Sequence, residues 1–288
     1  MIRALIAILL LVTAACGQRE APYPPAKPAL WAVEDREGHP RGWLFGTIHA
    51  LPDGSEWRTP VLARVIETAG MLVVEVRDLD PQRTAAIFKR LATDEPGPPL
   101  ARRLPPAGRD RLAEFLAKRA VPATRFDALE TWAAALALSR LAANMPAANG
   151  VDLAVMAQFD TRPIEELEGA AGQLAIFDAL PERDQRSLLT AVLVERRDPT
   201  ADARALAKAW LAGDLASLER TVRGGLLADP ALHRALAVDR NTAWATKLMP
   251  LFESDRRPLV AVGAAHMLGP EGLPALLAAQ GYRVVRLQ

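Results

Sequence analysis

Two histidines, His49 and His266, close the same short pattern more than two hundred residues apart. In Leu44-Phe45-Gly46-Thr47-Ile48-His49 and in Val260-Ala261-Val262-Gly263-Ala264-Ala265-His266, an aliphatic run meets a glycine, two small or apolar residues, and then the imidazole. Buried strands read as near-continuous apolar runs. Glycine permits a close backbone approach or a positive φ where such a strand exits. A carboxylate, Glu75, ends a third apolar run, Met71-Leu72-Val73-Val74. Two neutral imidazoles and one carboxylate suit a borderline divalent metal and leave a position open for water. The alternative is structural: each imidazole bonds a carbonyl at a strand end, and Glu75 reaches water or meets Arg77. A single site requires that the fold bring the two strand ends together.

Little else in the chain carries recognisable chemistry. His39 lies in the polar loop Asp35-Arg36-Glu37-Gly38-His39-Pro40 and reads as a solvated turn residue. His233, among Leu232, Arg234 and Leu236, reads as a solvent-facing helical residue. The sequence holds no G-x-S-x-G, no Walker loop, no G-x-G-x-x-G after a strand and no H-E-x-x-H. Serine hydrolases of the elbow type, nucleotide-binding folds and thermolysin-like proteases are thereby disfavoured.

Positioning these residues calls for strands at both ends of the chain. Leu30-Trp31-Ala32-Val33 and Gly42-Trp43-Leu44-Phe45 flank the polar loop as a β-hairpin. Residues 60–69 fit a helix that opens on proline. Residues 81–251 are mainly helical, with apolar residues at three and four spacing over 109–119, 126–143, 151–159, 172–180, 182–197 and 202–211. Asp214 reads as an N-cap after Gly213, and Asp229-Pro230 as another cap leading into a long helix through Trp244. Residues 162–168 are a strand-like interruption. The chain closes with a strand over 258–262, a helix over 269–280 capped by Gly281, and a strand over 282–287. The fold class is mixed α/β: a central, partly parallel sheet built from both terminal segments, with a large helical section between them.

The chain has 288 residues, half of them hydrophobic, and a net charge of +1. No basic block stands out, which argues against nucleic acid as a partner. Met1-Ile2-Arg3, the apolar stretch to Val12 and Thr13-Ala14-Ala15 have the form of a signal peptide over residues 1–15. The apolar stretch is shorter than the roughly 20 residues of a membrane-spanning helix. Cys16, the single cysteine, follows directly and fits a bacterial lipoprotein signal in which it is acylated and anchors the chain to the membrane. Thr13 departs from the aliphatic residue usual at that position, and ordinary signal-peptidase cleavage is the alternative. Either route delivers the protein outside the cytoplasmic membrane. Gly17 after the cysteine points to the outer membrane, facing the periplasm. Pro22, Pro24, Pro25 and Pro28 make residues 16–29 a tether ahead of a folded domain over 30–288.

Over residues 30–288 the sequence resembles the TraB/GumN family, which includes the Tiki membrane proteases. The matching segments are Leu30-Trp31, Leu44 to Pro52, Leu72 to Val76, Gly150-Val151-Asp152 and Leu167-Glu168. They continue with Asp239-Arg240-Asn241, Trp244, Val260 to Leu268, Gly272-Leu273 and Gly281-Tyr282. The resemblance implies a fold similar to erythromycin esterase and ChaN-like proteins. It also implies a divalent-metal-dependent hydrolase of peptide-bond type, with manganese, cobalt and zinc as candidate ions. His49, Glu75 and His266 would form the metal site, Glu75 and Arg240 would serve catalysis, and Asp152 and Glu168 match family positions without an assigned role. A cap on the helix after Gly150 is a second reading for Asp152. Substrates would be peptides or proteins of the cell envelope. From another class stands a non-catalytic envelope protein that binds a metal, haem or a peptide in the same cleft.

Overall fold

The computed structural model describes residues 24–52, 54–93, 97–142, 150–194 and 199–288. The signal peptide, Cys16 and the chain to residue 23 lie outside the described residues. Six strands form one mixed sheet: β1 Leu30–Glu34, β2 Pro40–Thr47, β3 Met71–Val74, β4 Ile164–Glu166, β5 Pro258–Gly263 and β6 Arg283–Arg286, in the order β4-β3-β5-β2-β1-β6. β4, β3, β5 and β2 run parallel, and β1 is antiparallel to both β2 and β6. The two ends of the chain do share the sheet, because β2 lies directly against β5. The closing strand-helix-strand unit does not pair with itself; β6 crosses to the far edge beside β1.

Strand side chains alternate between two layers, as the pleat requires. Leu30, Phe45, Leu72, Val74, Leu259 and Ala261 face one core with helices α1 Pro60–Thr68, α5 Val151–Met156, α8 Pro199–Ala212 and α9 Leu215–Arg223. Trp31, Leu44, Met71, Val73, Val260 and Val262 face the other, with α11 Asp239–Glu253 and α12 Leu273–Ala279. A third apolar cluster lies among helices and their connecting turns, away from the sheet. It joins α3 Pro106–Ala117, α4 Thr131–Ala142, α7 Glu182–Leu193 and α10 Pro230–His233, with Phe88 of α2 Pro81–Leu91 and the half-buried side of α6 Gly169–Asp178. Its buried Arg103 donates to the Pro98, Asp127 and Leu129 carbonyls, closing the loop before α4.

Boundaries follow local chemistry. Thr59, Asp80, Asp214 and Asp229 accept from backbone N–H groups of the helices they open. α4 begins at Thr131 rather than Phe126, because 126–129 is taken up in turns. α12 begins at Leu273 because Gly269, at φ +70°, turns the chain first. The helix expected after Asp229 is continuous in sequence but widens to a π-helix over Arg234–Val238 before α11. His233 is half-buried rather than solvent-facing. The proline-rich stretch is docked before β1 begins: Lys27 N donates to Leu211 O, Gly46 N donates to Ala29 O, and Gln288 Nε2 donates to Pro28 O.

Candidate functional site

The parallel strands β2, β3, β4 and β5 all end on one edge of the sheet, where ligands gather in open α/β folds. The chain continues from those ends into His49, Glu75, Glu168 and His266. The two Gly-x-x-His motifs lie on adjacent strands but out of step by one residue, since Gly46 pairs with Val262 and Thr47 with Gly263. They also exit differently. After Gly263 a 3-10 turn, Ala264–Met267, folds His266 back to 5% exposure. Beyond Thr47 the chain is irregular and His49 stays exposed. Both glycines serve close approach, and neither has a positive φ. A Cβ on Gly46 would stand 3.1 Å from Ala264 Cα, and one on Gly263 would stand 3.3 Å from Glu75 Oε1.

Glu75 leaves β3 into a cage of donors. Its Oε1 accepts from Gly263 N at 2.8 Å, and its Oε2 accepts from Arg240 Nη2 at 2.8 Å and Gln173 Nε2 at 3.2 Å. Its partner is thus Arg240, not Arg77. Arg240 grips Glu168 with Nε and Nη2, both at 2.8 Å, and donates through Nη1 to Leu236 O at 3.1 Å and His266 Nε2 at 3.2 Å. All of its N–H groups are thereby engaged. Trp244 donates to Glu168 Oε1 at 3.0 Å while its ring covers His266 at a centroid distance of 4.4 Å.

The tautomers follow from the partners. Asn241 Nδ2 donates to Glu271 O at 2.7 Å, so its Oδ1 is left to accept from His266 Nδ1 at 2.6 Å. His266 Nε2 therefore carries the lone pair. At the end of the neighbouring strand β2, the Thr47 hydroxyl donates to one oxygen of the Asp152 carboxylate and His49 Nδ1 donates to the other at 2.9 Å. His49 Nε2 is likewise left with the lone pair. Asp152 sits in the first turn of α5, whose N-cap is Gly150 without a side-chain bond, so it ties α5 to β2 rather than capping the helix.

Burial pushes the His266 imidazole down to about 4, with Arg240 and His49 acting in the same direction and Glu75 opposing. Burial would raise Glu75, but His266, Arg240 and the Gly263 N–H outweigh it and hold the carboxyl below its usual range. The Asp152 hydrogen bond lifts His49 above its usual value. The neighbourhood thus holds an ionised carboxylate, a neutral buried imidazole and a more basic exposed one.

Each imidazole has its Nδ1 held by a side-chain oxygen, which is how proteins orient metal-ligating histidines. With Glu75 the donor set fits a divalent cation in chemistry. In distance the set is open: Arg240 sits on His266 Nε2 and Glu75 Oε2, and His49 stands apart with Asp152. Among the described residues, the His/carboxylate trio whose ligand atoms lie within 4.8 Å of one another is Asp35, Glu37 and His39. Those residues form the exposed β1–β2 turn, where Asp35 Oδ1 accepts from Glu37 N and His39 N. Beside the ion network, a groove of about 630 Å³ is lined by Glu168, Ile176, Leu180, Arg234, Arg240 and Trp244, among others.

A model of the TraB/PrgY/gumN family matches residues 29–286. The chain belongs to the TraB/PrgY/gumN family. Among curated relatives, the "Uncharacterized protein YbaP" of Shigella flexneri is 26% identical over 248 residues, covering 83% of this chain and 89% of its own. The protein of the same name from Escherichia coli K12 is 26% identical over 242 residues, covering 81% and 86%. No solved structure matches significantly. Of the residues read from this family pattern, Glu75, Arg240, His266 and Glu168 meet in one network, and His49 and Asp152 pair beside it. Asn241 and Thr47 fall within the matching segments without a role read for them, and Gln173 lies outside those segments. Gln173 had a signal, as the one polar side chain in Gly169-Ala170-Ala171-Gly172-Gln173-Leu174-Ala175-Ile176-Phe177.

Proposed function

We propose that this TraB/PrgY/gumN family member is an extracytoplasmic, divalent-metal-dependent hydrolase that acts on peptide bonds. The observation that carries the reading is the pair of imidazoles pinned through Nδ1 beside an ionised carboxylate, at three parallel strand ends. His49, Glu75 and His266 would hold the ion, with His49 the member that has to close on the other two. A divalent ion so held supplies Lewis acidity and lowers the pKa of water.

The chain's own residues do the rest. Gly263 N–H and Gln173 fix the two oxygens of Glu75, and Arg240 keeps that carboxylate ionised. Asn241 and Asp152 hold the two rings in the tautomer that offers Nε2. With all five N–H groups engaged, Arg240 has no spare donor for a developing oxyanion. The N–H it now gives to His266 is the one released when that imidazole takes another partner. Such a donor, aimed where charge develops, is worth roughly 10² to 10³ in rate.

A second reading draws on the same arginine. With its guanidinium seated on Glu75, Glu168 and His266, the cleft holds its own cation, which favours a non-catalytic envelope protein that binds a peptide there. Turnover decides between them. The mature protein is incubated with a peptide library in large molar excess, with and without chelator. Cleavage of many equivalents that stops with chelator and returns with manganese, cobalt or zinc supports the hydrolase; stoichiometric binding without cleavage contradicts it.

A further inference from the structure

The sheet topology also determines which side of the domain the N-terminal segment leaves. β1 is antiparallel to β2, so its first residue, Leu30, pairs with Phe45 at the strand end that leads to His49. Upstream of Leu30 the chain keeps going past that edge: Ala29 O accepts from Gly46 N, and Lys27 N donates to Leu211 O. Ala26 packs in the same apolar layer as Ile48 and Trp57, which flank the site's mouth in sequence. The N-terminal segment therefore emerges on the edge that carries His49, Glu75 and His266. The β1–β2 turn with Glu37 lies at the opposite edge, a strand length of roughly 25 Å away.

From Cys16 to Ala26, the first residue packed on the domain, a fully extended segment spans at most about 36 Å. That is shorter than the domain is wide, since about 260 residues give a diameter near 45 Å. A lipid on Cys16 would thus hold the domain close to the bilayer by its site edge.

We infer that the sheet edge carrying His49 faces the membrane, so that the polypeptides it meets are the membrane-proximal segments of lipid-anchored or membrane-embedded proteins. This rests on acylation of Cys16 and on the site assigned above. With Cys16 blocked by lipid, a single introduced cysteine labels uniquely, since the chain has no other. Glu56→Cys, in the exposed loop after His49, and Glu37→Cys, in the opposite turn, are each labelled with a fluorescent donor. The lipidated proteins are then reconstituted in phosphatidylethanolamine/phosphatidylglycerol vesicles that carry a headgroup acceptor. Energy transfer from position 56 should exceed that from position 37 by at least about twofold, given the strand length between them. Equal transfer, or stronger transfer from position 37, overturns the orientation. Failure of the lipidated preparation to float with the vesicles overturns it as well, by removing the anchor. The readout needs neither metal nor turnover, so loss of the hydrolase reading would leave the transfer unchanged. Substrate class is read separately with one peptide, cleaved by the wild type in solution, supplied either free or on a lipid anchor. Preference for the anchored form that disappears when a long Gly/Ser spacer lifts the peptide from the bilayer supports the inference; indifference to the spacer counts against it.

Discussion

Arg240 donates twice to Glu168, once to Glu75, once to the Leu236 carbonyl and once to His266, so in this state it is a clamp. Truncating it strands two carboxylates that are barely exposed, and breaking a buried pair by removing one partner costs about 3–5 kcal/mol. Arg240→Ala should therefore lose about 3 kcal/mol in urea unfolding as well as activity, whereas Arg240→Lys keeps the charge and part of the stability. Unchanged unfolding in Arg240→Ala would show that the clamp is not structural. His266 carries a pH signature. The unfolded imidazole binds a proton below about 6.5 that the folded one refuses until about 4, so stability is lost as pH falls through that window. The loss approaches about 3 kcal/mol. Glu75 and Arg240 face this ring, and His49 lies near enough to lower it further. His49 itself has a raised pKa and contributes in the opposite sense, gaining stability as pH falls below its folded value. Comparing wild type with His266→Gln in chelator between pH 6.5 and 5 isolates the ring. The variant should lose less stability than wild type as pH falls, and identical pH dependences would contradict a neutral buried His266.

At the scale of elements, two motifs that look alike in sequence do different work. Gly46 lies inside β2, where the turn carrying His266 packs against its bare Cα; Gly263 ends β5 and lends its N–H to Glu75. Gly46→Ala should push that turn and cost about 1–3 kcal/mol, the usual range for overpacking. Gly263→Ala presses on a side-chain oxygen that can shift, so the melting temperature should barely change while metal affinity falls. Equal effects of the two on stability would refute the asymmetry. This also marks how far the sequence could be read. The apolar runs gave the strands and the glycines gave their exits, because burial and steric demand leave local traces. The one-residue offset between β2 and β5 is a matter of register, and the 3-10 turn that folds His266 inward while His49 stays exposed depends on packing; neither has a local trace. Nor does Asn241's role, since a polar residue on a helix declares a partner only once Glu271 and His266 are packed against it.

For the whole molecule, the sheet is stitched from both ends of the chain around β5, which lies between β3 and β2. Deleting residues 259–288 removes that central strand, α12 and the edge strand β6, and with them part of both core layers. The remainder should show no cooperative thermal transition and a loss of native helix content; a truncated protein with both intact would mean the helical section folds alone. The mixed α/β class was legible because aliphatic runs cluster at the termini and alanine-leucine periodicity fills the middle. The far-edge placement of β6 was not, because a strand-helix-strand sequence is equally compatible with adjacent strands.

Metal content per chain tests the His49–Glu75–His266 site directly. Wild type, His49→Ala, Glu75→Ala, His266→Ala and His39→Ala are each loaded with manganese, cobalt or zinc, desalted and analysed by mass spectrometry for bound metal. About one equivalent in wild type and in His39→Ala, with most of it lost in the other three, is the expected result for a site that needs all of its protein ligands. Metal retained by the three and lost from His39→Ala would move the site to the Asp35–Glu37–His39 turn and contradict the assignment, as would a wild-type protein that retains none.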